Sequence, residues 1–330
     1  MTQKVVLKDI ARLAGVSEMT ASRALRGAVD VSDATRQKVE AIAAQHGYVP
    51  NRIAGALASQ RSNLVALVVP SLGSSVFPEV LSGVSQALTN SPLKPVIGVS
   101  GYDPAEEEIV IREMLSWRPS GLIVAGLEHS DTSRAMLRSA DIPVIEIMDT
   151  DGDPVSHCVG ISHVQAGREM AEAMVVRGYR SIGFIGTKMP QDYRARKRLD
   201  GFIAGLAAHD LTLLDRELYA GVSSVRNGRE LTASLLQRSP TLDCLYYSSD
   251  VMSVGGYMHC LANGLSVPSD LAIAGFNNLD LLAGLPIRLA TTDSYRFEIG
   301  QNAARIILKG AVAAPEIVRL ETTVDLGDSL

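Results

Sequence analysis

The chain has 330 residues, of which 46% are apolar, 20% charged and 5% aromatic, with a formal net charge of -5. That balance excludes a disordered chain, a collagen and a disulfide scaffold, and the length suggests about two domains. No stretch approaches the roughly 18 uncharged apolar residues of a membrane span, and the start carries no apolar run fit for export, so the expected location is the cytoplasm.

The charge is unevenly spread. Residues 1–62 hold nine Lys/Arg against five Asp/Glu, a net +4, while the remainder holds 22 against 31, a net -9. A basic head on an acidic body suggests contact with a polyanion at one end. Cys158, Cys244 and Cys260 lack CxxC spacing and fit reduced, buried thiols. His157, Cys158 and His163 match no usual metal-ligand spacing, so neither a metal nor a cofactor is expected.

In chain order, Leu7, Ile10, Ala11 and Ala14 share one face of a short helix over 7–14, which Gly15 ends with the positive φ that a tight turn needs. Ser17 is a natural N-cap for a second helix to about residue 26, with Ala21, Ala24 and Leu25 inward and Glu18, Met19, Ser22, Arg23 and Arg26 outward. Two short helices across a glycine turn form the DNA-binding helix-turn-helix, whose second helix enters the major groove, although any tight pair of helices shares the pattern. Ser32 caps a third helix with a Val39, Ile42 and Ala43 stripe that ends at Gly47. After Pro50, a short segment over 52–58 leads into a polar linker at 59–62.

Beyond the linker, strands alternate with helices. Strands are expected over 64–70, 96–99, 121–125, 144–148 and 158–161, with helices over 77–88, 104–116 and 131–140. A second series places helices over 163–178, 192–209 and 251–264 and strands over 181–186, 244–248 and 271–276. Two runs of βαβα order imply an α/β protein with two doubly wound parallel-sheet lobes. Val80, Val84 and Leu88 form a stripe suited either to the core or to a partner subunit. Ligands of such sheets bind beyond the carboxyl ends of the strands, which singles out Ser71, Glu146, Asp149, Ser249, Asp250 and Asn277.

The strings LKDIARLAGVSEMTASRALRG over 7–27, VSDATR over 31–36 and GYVPNRIAGAL over 47–57 resemble the N-terminal head of the lactose-repressor (LacI/GalR) family of bacterial regulators. The rest of the chain resembles that family's periplasmic-binding-protein-like core, through SIGFIG at 181–186, RLDGF at 198–202, the Ser249-Asp250 pair and IAGF at 273–276. VFPEVL at 76–81, MLSW at 114–117 and PVIEIMD at 143–149 look closest to its gluconate-operon repressor subgroup. The resemblance implies a helix-turn-helix domain at 1–50, a hinge helix and linker at 51–62, one lobe from 63–161 plus 293–320, and another from 162–292 plus 321–330. It also implies an operator on double-stranded DNA, a homodimer or tetramer, no membrane contact and a small-molecule effector between the lobes.

The resemblance puts Glu18, Met19 and Arg23 at base-reading positions, Thr20, Ser22, Asn51 and the amide of Tyr48 near phosphates, and Leu57 as a wedge in the minor groove. Side-chain chemistry supports part of this independently. Arg23 suits guanine O6 and N7, and Met19 a thymine methyl. Glu18 either accepts from cytosine N4 or sits at the helix N-terminus as a favourable carboxylate. In the core, Arg198 matches the family arginine that grips an effector. Arg194, one turn earlier, is a second clamp, whereas Arg196 and Lys197 read as a solvated basic face. Phe77 either stacks on a ligand or packs in the core. Arginines beside Glu146 favour a sugar acid such as gluconate; the alternatives are a neutral sugar or a purine, acting as inducer or corepressor.

An enzyme is the reading from a different class. Against it, the chain has no GxSxG, no GxxxxGK[ST], and no GxGxxG after its first strand. Arg23→Ala is expected to abolish sequence preference in a selection from randomised duplex DNA while leaving small-molecule binding unchanged.

Overall fold

The computed structural model describes residues 5–28, 30–50, 61–73, 76–187, 192–221, 223–310 and 314–330. They form two compact units, 1–62 and 63–330. The first holds α1 (Leu7–Ala14), α2 (Glu18–Leu25) and α3 (Asp33–Gln45). Gly15, at φ 66°, closes α1. The hydroxyls of Ser17 and Ser32 accept from the amides of Thr20 (3.0 Å) and Thr35 (3.3 Å), capping α2 and α3. Ile10, Ala14, Ala21, Ala24, Val39 and Ala43 make the core, and the two alanines of α2 allow its close crossing.

The second unit is α/β with two parallel sheets. The N-lobe sheet takes β1 (Leu64–Val69), β2 (Lys94–Val99), β3 (Gly121–Ala125), β4 (Val144–Asp149), β5 (His157–Ile161) and, from the far end of the chain, β11 (Ile317–Arg319). Their order is β11-β5-β4-β3-β1-β2, with α4 (Val76–Ala87), α5 (Pro104–Ser116) and α6 (Asp131–Ser139) in the connections. The C-lobe sheet, ordered β7-β6-β8-β9, takes β6 (Ile182–Thr187), β7 (Asp215–Tyr219), β8 (Cys244–Tyr247) and β9 (Ala272–Ala274). Its helices are α7 (His163–Val176), α8 (Tyr193–Ala207), α9 (Val225–Arg238) and α10 (Asp250–Ala262). Antiparallel β10 (Thr291–Asp293) and β12 (Thr323–Asp325) flank α11 (Arg296–Lys309), which packs on α4.

Several elements escape the sequence pattern. β7 reads DRELY, an edge strand with no buried apolar run. β10, β11 and β12 have three residues each, too few to show a period. The Val80, Val84 and Leu88 stripe is core, packed with Ile299 and Ala303 of α11. Among the described residues, no helix is long and apolar enough to cross a membrane.

Three helix pairs share one packing device, a glycine on each helix seated against a carbonyl of the other. A Cβ on Gly83 would lie 2.0 Å from Phe297 O, and one on Gly300 2.0 Å from Val80 O. The pair α9 and α10 repeats this with Gly228 on Met252 O and Gly255 on Val225 O. For α7 and α8 the seats are Gly167 on Arg198 O and Gly201 on Val164 O, each at 2.1 Å. Backbones this close leave no room for a methyl group without separating the helices. Gly201→Ala is expected to destabilise the protein by about 2 kcal/mol in urea unfolding; an unchanged midpoint would show that α8 can shift freely.

Candidate functional site

In the head, Glu18, Met19 and Arg23 project into solvent from α2, with Met19 68% exposed. Thr20 and Ser22 are half-buried, and Thr20 Oγ1 lies 2.8 Å from Ser17 Oγ. Arg23 pairs with Asp30 in the turn before α3. This face therefore presents Glu18, Met19, Arg23 and Arg26 on a capped helix. The Tyr48 amide donates to Ala43 O at 2.8 Å and closes α3, so it is engaged within the chain rather than open to a phosphate. Asn51 and Leu57 lie outside the described residues.

In the body, the carboxyl ends of β1, β2, β3 and β4 face the first turns of α8. Arg194, Lys197 and Arg198 sit on that helix, whose N-cap Asp192 accepts from Ala195 N at 3.2 Å. Arg198 is 7% exposed. It donates to His163 Nδ1 (3.0 Å) and Ser248 O (3.1 Å), and its guanidinium lies 4.0 Å from the centre of the Phe276 ring. A guanidinium only donates, so His163 Nδ1 accepts and Nε2 carries the proton given to Met148 O at 2.9 Å. Burial and the neighbouring Arg198 charge hold His163 well below its usual pKa, which keeps this relay neutral. The relay ends at Met148, a bulky residue with φ 80° near the carboxyl end of β4, an inner strand of the N-lobe sheet.

Arg194 stands 5.8 Å over the Phe77 ring and hydrogen-bonds Tyr102. Phe77 is itself core, 3% exposed. Among the described residues Arg194 makes no salt bridge. Lys197, by contrast, is fully engaged, reaching Glu128 Oε1 at 2.5 Å, Asp149 Oδ2 at 2.6 Å and Asp151 O at 2.8 Å. Burial works against its charge, but the hydrogen bonds of Asp149 and Glu128 outweigh that and raise its pKa. It is not the solvated residue that its helical position suggests, whereas Arg196 is exposed. Pro70, Ser100, Tyr102, Gly126, Glu128, Tyr193 and Arg194 enclose a cavity of about 50 Å³. A larger groove of about 670 Å³ runs outside the cleft, between Pro78, Glu79 and Ser82 of α4 and Leu282, Ala283 and Arg288.

The other strand-end residues serve the scaffold. Ser71 Oγ accepts from Gly73 N and closes its own turn. Glu146 is wholly buried inside the N-lobe, where Oε2 accepts from the amides of Val155 (2.5 Å) and Ser156 (3.2 Å). Its Oε1 lies 3.6 Å from His129, whose other nitrogen meets Glu107 at 2.7 Å. Alternation along β4 turns Glu146 away from the cleft and leaves Asp149, at the strand end, to reach it. Ser249 is the N-cap residue of α10, yet its hydroxyl makes no cap bond. Asp250 accepts from Thr291 Oγ1 (2.7 Å) and Leu279 N (2.8 Å), bracing a crossing between the lobes. Asn277, at φ 111°, accepts from Ser294 Oγ and offers its carbonyl to Arg296.

Asp149, Arg194, Arg198 and Phe77 thus gather around the cleft, while Glu146 and Asp250 do not contribute free carboxylates to it. Tyr102, Glu128 and His163 belong to it and were not anticipated. The strand-end rule points to Tyr102 and Glu128, since both follow strands by three residues.

The head matches the family model described as bacterial regulatory proteins, lacI family, over residues 6–51. The body matches that of periplasmic binding proteins and sugar binding domain of LacI family over residues 62–319. The chain is 36% identical to the HTH-type transcriptional regulator GntR of Pseudomonas aeruginosa, over 100% of this chain and 95% of the relative. A LacI family transcriptional regulator from Silicibacter pomeroyi is 55% identical, with a TM-score of 0.93 over 98% of this chain and 99% of that one. The lac repressor dimer bound to operator and an anti-inducer shares the fold, with a TM-score of 0.84, 22% identity and 99% of each chain covered.

Burial, only partly offset by Thr291 and Leu279, raises the pKa of Asp250 to about 6. The folded state then holds a proton that the unfolded chain, with an ordinary carboxyl near 3.9, has lost. Relative to Asp250→Asn, the wild type is expected to lose on the order of 3 kcal/mol of stability as pH rises from about 4 to about 6, and no more above that. Urea titrations of both proteins across pH 3.5–7.5 check this; parallel curves would remove the burial argument.

Proposed function

The chain belongs to the lacI family of bacterial regulatory proteins, and from that premise we propose that it represses a sugar-acid catabolic operon and is released from its operator by the acid itself. It is a DNA-binding transcriptional regulator and not an enzyme, as its full-length relatives are. In this reading it works in the cytoplasm as a homodimer, because one recognition helix reads only a few base pairs and two half-sites multiply the discrimination. Arg23 reads guanine, Met19 a thymine methyl, and Leu57 wedges the centre of a palindrome. Residues 51–62 act as the hinge. The lobes meet at chain crossings near 161–163, 290–293 and 320.

One observation carries the choice of effector: Arg194 presents, beside Tyr102 at the mouth of the cleft, a guanidinium that has no salt bridge among the described residues. A carboxylate is the ligand group that such a fork holds best. Hydroxyls of the same ligand would meet Tyr102 and the neighbouring backbone. The enclosed 50 Å³ is far below the roughly 300 Å³ of an ordinary ligand pocket, so seating a six-carbon acid requires Arg194 or a lobe to move. Ligand binding is thereby tied to lobe angle, and the lobe angle to the spacing of paired hinges.

A thermal-shift screen tests this, because a ligand of the folded state raises the melting temperature by mass action. Gluconate and its 2- and 5-keto relatives are expected to stabilise the protein and to release it from operator DNA. Arg194→Ala should weaken gluconate binding by about 10–100-fold with operator affinity retained. Stabilisation by neutral sugars or purines, with none by acids, would replace this effector with the other class.

A further inference from the structure

Lys197 lies between Arg194 and Arg198 on α8, yet its ammonium hydrogen-bonds across to the opposite lobe. An ammonium group has three N–H bonds, and each has an acceptor here: Glu128 Oε1, Asp149 Oδ2 and Asp151 O. All three belong to the N-lobe, Glu128 in the segment after β3, Asp149 at the end of β4 and Asp151 just beyond it, while α8 belongs to the C-lobe. With its donors used, Lys197 has no hydrogen left for a ligand. Asp149 is fully buried, and its other oxygen accepts from Asp151 N at 2.8 Å, which fixes the carboxylate in place. Asp151 in turn accepts from Val164 N at the start of α7, a second link from this turn to the C-lobe.

The charges of the cleft give this contact a second effect. The N-lobe rim offers two carboxylates, Glu128 and Asp149, that share one ammonium and so lie no more than about 5 Å apart. Without a cation they would repel each other, and they would repel any anion brought to Arg194 nearby. With Lys197 in place, one of these two negative charges is balanced, so the cleft is one unit more favourable to an anion at Arg194 than it would be without it. We propose that Lys197 is the positioning residue that fixes the lobe angle and makes the cleft accept an anion, without itself touching the ligand. The anion part rests on the reading of the cleft as an effector site; the lobe-angle part does not.

The test uses the full-length protein with spin labels at Ser139→Cys on α6 and Ser234→Cys on α9, both exposed positions, one in each lobe. Cys158, Cys244 and Cys260 are buried and stay unlabelled. Diluting labelled with unlabelled protein isolates the distance within one chain. The parent should give one narrow distribution, and Lys197→Met a longer and broader one. Glu128→Gln, which removes one acceptor charge and leaves the cation, should shift it by less. Glu128→Gln combined with Lys197→Met should fall between the parent and Lys197→Met, because one carboxylate of the repelling pair is gone.

Calorimetry with gluconate supplies the second arm. Lys197→Met should weaken binding by about tenfold or more, and the combined variant should recover part of that loss. If both single substitutions keep the parent distance distribution, the proposal is overturned. If the parent itself takes no gluconate, the effector reading fails, and the spin-label distances still decide the role of Lys197.

Discussion

Arg198 is held by its backbone and its side chain at once, and most of the body is arranged around that double hold. Its carbonyl is the seat of Gly167, so the start of α7 and the first turns of α8 cannot separate or slide. Its guanidinium reaches His163 on one side and Ser248 on the other, with Phe276 beneath. The backbone contact thus delivers a buried cation to one place, between the end of β8 and the start of α7. A charge buried this deeply is tolerable because its two bonded nitrogens face fixed acceptors and its flat face meets a ring. His163, kept neutral, carries the contact to Met148 in the other lobe.

The crossing strands show the same economy. Arg296, 2% exposed, joins the turn at Asn277 and Ser294 to Glu79 of α4, with bonds of 2.9 and 2.5 Å to that carboxylate. Asp250 fastens Thr291 and Leu279 from the C-lobe side. Polar groups at a hinge are expected to be paired in this way, since irregular backbone there has no ladder to satisfy it. Movement of one lobe against the other must therefore pass through short strands with braced ends, which favours a few discrete angles over a continuum.

What the sequence discloses depends on how local the cause is. The head was readable residue by residue, because Gly15, Ser17 and Ser32 act on their own neighbours and set where the helices begin and end. The buried parallel strands were equally plain, as LVALVV at 64–69 needs no partner to declare itself. Lys197 was not readable, because its place among solvated residues on a helical wheel says nothing of carboxylates 48 and 69 positions away that come to meet it. Glu146 misled for a related reason: it sits near a strand end, but the pleat, which no single residue announces, turns it inward. β7 was missed since an edge strand can be charged on both faces. The far-end elements α11 and β11 belong to the first lobe only by topology, where long-range pairing decides and periodicity is silent.

Helix α8 divides its residues into those that cannot be exchanged and those that can. Gly201 and the carbonyl of Arg198 are fixed by contact with a neighbouring backbone, and even one added carbon disturbs them. Arg194 and Lys197 act only through side-chain tips that extend into the cleft. A sensor for a different acid, or for a neutral ligand, can therefore be sought by varying position 194 together with Tyr102 on the facing lobe, with Lys197 and Glu128 left in place to hold the lobe angle. Such a library leaves the helix crossing intact, so its members would differ in what they detect while keeping the scaffold that converts detection into a change of lobe angle.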